Sequence, residues 1–234
     1  MGGLTELFSL DGYGGSLAQG AAMTVAVGLT AMAVAIVLGL LGAWGKLSGA
    51  PAARFFTDTY TTIVRGVPEL IMLLLVYFGV PTLIQDVSSA MGREVIVNLD
   101  PFTAGSLTIG FIYGAFCTEV FRGAFQSVPE GQLEAARAAG MHRLLTFRRI
   151  LFPQALRYAL PGLGNVWMVL IKATALISII QLDELMRNAR IAANTTHKPF
   201  TFYFVASLIF LLITVVSMWG QKHAEKWANR GVRR

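Results

Sequence analysis

The chain has 234 residues, of which 55% are apolar and only 14% are charged. A soluble domain usually contains about 25% charged residues, so the composition argues against a soluble protein. Lysine and arginine exceed the acidic residues and give a formal net charge of +6. In a membrane protein such an excess indicates basic residues kept in cytoplasmic loops, so we predict no nucleic-acid partner. A single cysteine, Cys117, excludes an intramolecular disulfide.

Long runs without charge predict membrane-spanning helices. Three such runs lie between Asp11 and Lys46, between Asp100 and Glu119, and between Lys198 and Lys222. A helix of about 20 apolar residues crosses the hydrocarbon core of a bilayer. We therefore predict an all-α integral membrane protein whose single transmembrane domain, residues 1–234, has five spans. In chain order they cover about 17–44, 55–84, 102–121, 156–180 and 200–220.

The distribution of basic residues predicts the orientation of these spans. With the N-terminus outside, fourteen basic residues fall on the inner side: Lys46, Arg54, Arg65, Arg122, Arg137, Arg143, Arg148, Arg149, Arg157, Lys222, Lys226, Arg230, Arg233 and Arg234. Only four fall on the outer side: Arg93, Arg187, Arg190 and Lys198. We therefore predict an outside N-terminus and a cytoplasmic C-terminus, with Lys172 inside the fourth span.

Glycines in the spans predict close helix packing. Gly110 and Gly114 lie four residues apart on one helical face, where a second helix can approach closely. The "GLLGAWG" stretch at residues 39–45 has glycines at a spacing of three and suggests a similar contact. In the fourth span, Pro161, Gly162 and Gly164 predict irregular backbone, which is tolerated at membrane depth where it lines a cavity.

The sequence offers little support for an enzyme. Gly45 and Lys46 resemble the end of a phosphate-binding loop, but Leu40 and Leu47 stand where that loop needs glycine and Ser or Thr. The three histidines are far apart, and no nucleophile lies beside a base. We predict no ATP site, no catalytic residue, no metal site and no cofactor.

The most polar stretch is "EGQLEAARAAGMHRLLTFRRILFPQ" at residues 130–154. Strong helix formers follow Pro129, and Gly140 is suited to a left-handed helix end. We predict a short cytoplasmic helix over about 131–139, kept thin by its alanines. Such a helix suits a groove on a partner protein. Alternatively, it lies on the lipid surface, where Arg143, Arg148 and Arg149 meet anionic headgroups.

A family resemblance decides between these interpretations. Glu134-Ala135-Ala136, then Gly140, then Ile150-x-Phe152-Pro153 resembles the EAA signature of ABC importer permeases, with Phe152 in place of leucine. In that family the signature helix, here within about 131–140, docks into a cleft on the ATP-binding subunit. The resemblance therefore implies that coupling to an ATPase depends on Glu134, Ala135, Ala136, Gly140, Ile150 and Pro153.

The resemblance covers nearly the whole chain after about residue 15. "RGVPEL", "YFGVP", "TEVFRGAFQSVPEGQLEAA" and "FPQALRYALPGLGNVWMVLIKATALISI" resemble the polar amino acid branch, above all the histidine, lysine, arginine, ornithine and opine permeases. This implies a type I ABC importer permease fold in the bacterial inner membrane. The implied partners are an ATP-binding cassette ATPase dimer, a second permease copy or relative, an extracytoplasmic amino-acid-binding protein and the lipid bilayer.

Charged and polar residues within the spans suggest a substrate pathway. Lys172 lies about eight residues from the outer end of the fourth span, where a charge needs a partner or a wet cavity. Asn165 and Thr174 lie near it in sequence, and Glu119 and Glu69 are the candidate acidic groups. Alternatively, Lys172 forms a structural ion pair and Glu119 pairs with Arg122 on the same helix.

Two other functions remain open at this point. A stand-alone channel or secondary transporter would have internal repeats, and none is visible in the sequence. A membrane scaffold without a pathway is the other alternative.

Overall fold

The computed structural model describes residues 10–93 and 95–229, whose regular elements are all helical. The eight helices are, in chain order, α1 (Gly14–Leu47), α2 (Pro51–Gly66), α3 (Glu69–Ala90), α4 (Pro101–Gln126), α5 (Glu130–Ala138), α6 (Arg143–Ile180), α7 (Leu185–Thr196) and α8 (Pro199–Ala228). Five of them, α1, α3, α4, α6 and α8, are long and apolar enough to cross a membrane. The predicted number of spans is therefore confirmed.

The predicted second span is wrong in its first half. Its residues 55–66 belong to the separate helix α2, and the span itself is α3, which begins at Glu69. Pro68 precedes α3 with an extended backbone, φ −56° and ψ 134°. Proline has no N–H to donate and disfavours helical geometry in the residue before it, so the helix ends here. The sequence contains a signal for this break, because Gly66 and Pro68 are typical helix-ending residues, but the prediction joined the apolar residues on either side into one span.

The fourth span is longer than predicted, and its irregular backbone lies elsewhere. Helix α6 starts at Arg143, and residues Phe152–Ala173, including Pro161, are regular α-helix. A π-helical turn occurs at Phe147–Leu151 and a 3₁₀ turn at Thr174–Ile180. The expectation of a break at Pro161, Gly162 and Gly164 was wrong. Gly162 instead makes room for a neighbouring helix, because a Cβ there would lie 2.7 Å from Val120 Cγ1.

The chain forms two compact units, and the first consists of the residues up to Val34 together with Val67–Phe111 and Val169–Thr214. Its apolar core joins α1, α7 and α8 through buried residues, including Leu17, Leu185, Ala189, Phe202 and Ala206. Helix α7 lies in a segment that was predicted to be an outer loop. It packs directly on α1, because a Cβ at Gly20 would lie 2.9 Å from the backbone nitrogen of Leu185.

The second unit consists of Ala35–Gly66, Ile112–Met168 and the residues from Val215 onward. In this unit α1 and α4 approach closely at glycines from both helices. A Cβ at Gly39 would collide with Cys117, one at Gly42 with Thr118, and one at Gly114 with Leu38 Cβ at 2.9 Å. In the first unit, a Cβ at Gly110 would lie 2.7 Å from Val34 Cβ. The predicted close packing at Gly110 and Gly114 is confirmed, and the glycines at a spacing of three also make such contacts.

A cluster of charged residues lies at the end of α1 in the second unit. Lys46 Nζ lies 2.6 Å from Glu119 Oε1 of α4 and 2.8 Å from Asp58 Oδ1 of α2. It also donates a hydrogen bond to Thr61 Oγ1 at 2.8 Å. On α4, the Arg122 guanidinium holds the other oxygen of Glu119 at 2.8 Å. The Lys46 side chain is only 10% exposed, so three helices share one largely buried cation.

The position of Lys46 predicts that its loss destabilises the protein. Lys46→Met leaves Glu119 and Asp58 without their shared donor, and hydrogen bonds to charged groups contribute about 1.5–3 kcal/mol each. We expect a lower melting temperature for the purified protein in detergent. Adding Glu119→Gln should cost less than the two separate losses combined, because the two groups are coupled.

Lys222→Met is the matched control, because Lys222 lies on α8, is exposed and is also close to one end of a span. A surface substitution of this kind usually changes stability by less than about 0.5 kcal/mol. Equal melting temperatures for Lys46→Met and Lys222→Met would show that the charged cluster does not stabilise the unit.

Candidate functional site

The short helix predicted over 131–139 is present as α5, and its end has the expected backbone. Gly140 has φ +76°, in the left-handed region that favours glycine. Its N–H donates to the carbonyl of Arg137 at 2.9 Å, and the N–H of Met141 donates to that of Ala136 at 3.0 Å. This pair of hydrogen bonds is a Schellman motif. A Cβ at Gly140 would meet nothing within 4 Å, so the glycine is required by the backbone rather than by packing.

Helix α5 has one face turned into the protein and one face exposed. Ala136 is buried at 5% exposure and Leu133 is half-buried, whereas Glu134 and Ala135 are exposed. Gly140, beyond the helix end, is exposed as well. The exposed face carries small side chains and two carboxylates, since Glu130 lies one turn before Glu134, and no described residue covers it. Ala136 therefore anchors the helix instead of lying on this face.

A hydrogen bond joins α5 to α6, and aromatic contacts join α6 to α4. The Gln154 amide of α6 donates a hydrogen bond to the Gln132 side chain of α5. Phe125 of α4 stacks on Phe147 of α6 with ring centroids 6.4 Å apart, and Phe147 lies 5.8 Å from Phe152. The structure thus places Phe152 of the signature in an aromatic cluster at the base of α5. These contacts therefore connect α5 to α6, and through α6 to α4.

Two more members of the signature lie on α6. Ile150 is half-buried in the π-helical turn, and Pro153 is exposed at the start of the regular α-helix that follows it. Of the six predicted coupling residues, Glu134, Ala135, Gly140 and Pro153 are therefore accessible to another protein. Ala136 is buried and Ile150 is half-buried, so these two residues pack inside the protein.

The predicted pathway residues do not form one cluster. Lys172 and Asn165 are exposed on α6, seven residues apart. Thr174 is fully buried, and its hydroxyl donates to the carbonyl of Ile171 at 2.7 Å. Glu69 is the half-buried first residue of α3, where the helix dipole stabilises a carboxylate.

The contacts of Glu119 favour the structural interpretation of this residue. The predicted pair with Arg122 exists, and the second carboxylate oxygen is taken by Lys46. The sequence did not reveal Lys46 or Asp58 as partners, because they come from helices far away in the chain. The only signal was that Lys46 ends a long uncharged run. Hydrogen bonding to Lys46 holds the pKa of Asp58 below its usual range.

Glu184 is a second charged residue that the sequence did not single out. Its carboxylate is fully buried and caps α7, accepting hydrogen bonds from the N–H groups of Arg187 at 2.7 Å and Met186 at 2.9 Å. Thr24 of α1 donates a weaker bond at 3.4 Å. Burial raises the pKa of Glu184 to about 7, against the opposing effect of these donors. These contacts make Glu184 a link between α1 and α7.

Curated relatives match along nearly the whole chain. The histidine/lysine/arginine/ornithine transport system permease protein HisQ of Escherichia coli (strain K12) is 43% identical over 225 residues, covering 96% of this chain and 98% of the relative. The nopaline transport system permease protein NocQ of Agrobacterium fabrum is 49% identical, with 95% and 94% covered. The octopine transport system permease protein OccQ of Rhizobium radiobacter is 44% identical, with 97% and 96% covered.

Solved structures show the same fold. A crystal structure of an amino acid ABC transporter with histidines is similar with a TM-score of 0.78 and 29% identity, covering 92% of this chain and 94% of that one. An inward-facing structure of the MetNI methionine ABC transporter has a TM-score of 0.71 at 16% identity. The fold is therefore that of ABC importer permeases, as the signature implied.

A family model confirms this assignment. The model described as "binding-protein-dependent transport system inner membrane component" matches residues 35–230, which include α5 and Gly140. With five membrane-spanning helices and the conserved fold of its relatives, the chain belongs to this family of multi-pass inner-membrane permeases.

Proposed function

We propose that this chain is the transmembrane subunit of an ATP-driven importer for polar, basic amino acids or opines. The relatives are named for histidine, lysine, arginine and ornithine, for nopaline and for octopine, most of which carry a cationic side chain or head group. The permease pairs with itself or a related chain, receives substrate from an extracytoplasmic binding protein and is driven by a separate ATPase dimer. The observation that carries this proposal is the exposed face of α5.

The exposed face fits a docking contact for the ATPase. It has small side chains, the carboxylates of Glu130 and Glu134, and a glycine at its end that places no side chain at the contact. Helix α5 is joined to α6 by the hydrogen bond between Gln132 and Gln154, and α6 contacts α4 through the aromatic cluster. Closure of the ATPase pair would therefore push on α5 and shift two membrane helices. Such a mechanical input is needed to change a pathway from one open side to the other.

Substitutions on α5 test this coupling. We expect Gly140→Asp and Glu134→Lys to abolish transport while the protein remains in the membrane. An aspartate at a left-handed position costs roughly 1 kcal/mol, and both substitutions place a wrong charge at the ATPase contact. The measurements are substrate uptake and the amount of ATPase subunit that co-purifies with the permease.

Gly92→Asp is the matched control for Gly140→Asp. Gly92 has φ +72°, and a Cβ there would also meet nothing within 4 Å, but it follows α3 instead of α5. This variant has the same backbone cost and should transport normally. The coupling role of α5 is wrong if Gly140→Asp or Glu134→Lys transports at the normal rate with its ATPase attached.

The orientation that we propose places α5 and the C-terminal tail in the cytoplasm and the segments 82–100 and 182–198 outside. It rests on the unequal numbers of basic residues. Single cysteines, Ser89→Cys or Asn229→Cys, are introduced into a Cys117→Ala background, because both positions are exposed and Cys117 is buried. A membrane-impermeant maleimide added to spheroplasts should label Ser89→Cys alone. Labelling of both cysteines from the same side would contradict the orientation.

We also place Lys172 in the substrate pathway, where its ammonium would receive the substrate carboxylate. It is exposed in a helix that crosses the membrane, although a charge near the bilayer centre costs about 2.5–3.5 kcal/mol on insertion scales. Lys172→Met should raise the substrate concentration needed for half-maximal uptake, or stop uptake, while basal ATPase activity persists. Lys172→Arg keeps the charge and should retain more uptake.

Two outcomes would remove Lys172 from the pathway. Unchanged uptake kinetics in Lys172→Met would show that the substrate does not meet it. Loss of the assembled complex would instead indicate a structural ion pair, for example with the second permease subunit.

A further inference from the structure

A groove in the second unit runs from the membrane-spanning helices to α5. Its apolar part, about 560 Å³, lies between Trp44 of α1, Phe125 of α4 and Phe152 of α6. Its cationic part, about 940 Å³, is lined by Arg137 of α5 and by the start of α6. Leu133, Phe147 and Leu151 line both parts, so the two lie side by side.

The apolar part is open and wide enough for a hydrocarbon chain. Trp44 is 70% exposed, and Phe147 and Phe152 are 43% and 40% exposed. These residues lie at the ends of α1, α4 and α6, where spanning helices leave the hydrocarbon core. Tryptophan is enriched at this depth of a membrane. The groove is also within the usual size range of ligand pockets, about 300–1,000 Å³.

The cationic part has unbalanced positive charge. Arg137 and Arg143 line it, and no carboxylate is among its lining residues. Neither arginine forms an ion pair with any residue in 10–93 or 95–229. Basic residues near a membrane surface attract anionic lipids by about 1 kcal/mol each, which is about fivefold in binding.

We propose that this groove binds one anionic phospholipid of the adjoining membrane surface. Its phosphate lies against Arg137 and Arg143, and one acyl chain lies between Trp44 and Phe152. The groove matches a lipid in two ways. Its apolar part suits the acyl chain, and the adjoining cationic part suits the anionic headgroup. The bound lipid is then part of the surface that supports α5.

Trp44 is a built-in reporter for this lipid. The other tryptophans are replaced by Trp167→Phe, Trp219→Phe and Trp227→Phe, and the permease is assembled with its partner subunits in nanodiscs of phosphatidylcholine. Bromine on an acyl chain quenches tryptophan fluorescence on contact. Brominated phosphatidylglycerol should quench Trp44 at about 25-fold lower mole fraction than brominated phosphatidylcholine, since two arginines contribute about fivefold each.

Substitution of the arginines tests the cationic end. Arg137→Gln with Arg143→Gln should make the two brominated lipids equal, whereas Lys222→Gln, which removes a basic charge outside the groove, should leave the preference intact. Phospholipid retained by the otherwise native complex, measured by mass spectrometry, should change in the same way and does not depend on the tryptophan substitutions.

Two results would overturn the proposal. Equal quenching by both lipids in the protein with intact arginines would show ordinary contact with surrounding lipid. Absence of quenching by either lipid would show that a protein subunit fills the groove.

Discussion

The close approach of α1 and α4 is the contact on which the second unit depends. Glycines on both helices remove the side chains that would separate them, at Gly39 and Gly42 on one helix and Gly114 on the other. Lipid chains are as apolar as leucine, so helices in a membrane associate through such packing and polar contacts rather than through the hydrophobic effect. At the end of the same contact, Lys46 of α1 forms ion pairs with Glu119 of α4 and Asp58 of α2.

This contact also positions the candidate coupling helix. Helix α4 ends at Gln126, and α5 begins at Glu130, so only a short connection separates the packed span from the exposed helix. Phe125 near the end of α4 stacks on Phe147 of α6, and Gln154 of α6 donates a hydrogen bond to Gln132 of α5. With one face of α5 occupied by these contacts, the face containing Glu134 and Ala135 remains available to a partner. The fold thus presents a short, exposed helix at this point of the chain.

The features that depend on residues close together in the chain were predicted from the sequence. Uncharged runs revealed five spans, and helix formers followed by Gly140 revealed α5 and its left-handed end. The break at Pro68 was missed although Gly66 and Pro68 are typical helix-ending residues, because the apolar residues on both sides were joined into one span. The prediction also assigned Pro161 to a break, although neighbouring helices support regular helical backbone around it.

Contacts between residues far apart in the chain could not be predicted from local sequence patterns. Glu119 was predicted to pair with Arg122 three residues away, and that pair exists, but its stronger connection to Lys46 spans 73 positions in the chain. Burial of Glu184 depends on the docking of α7 against α1. Apolar residues at helical spacing, Leu185, Ala189, Ala192 and Ala193, indicate the helix itself, but not the helix on which it packs. The pathway residues are predicted least well for the same reason, since a pathway is formed by helices from distant parts of the chain and from a second subunit.

The most direct test of the account is reconstitution of this permease in proteoliposomes with its ATPase, its second permease subunit and its binding protein. The account predicts that substrate-loaded binding protein stimulates ATP hydrolysis and that labelled substrate accumulates only when ATP is supplied on the side of α5. Substrate uptake by the permease alone, without ATP or the ATPase subunit, would contradict it and would indicate a channel or a secondary transporter.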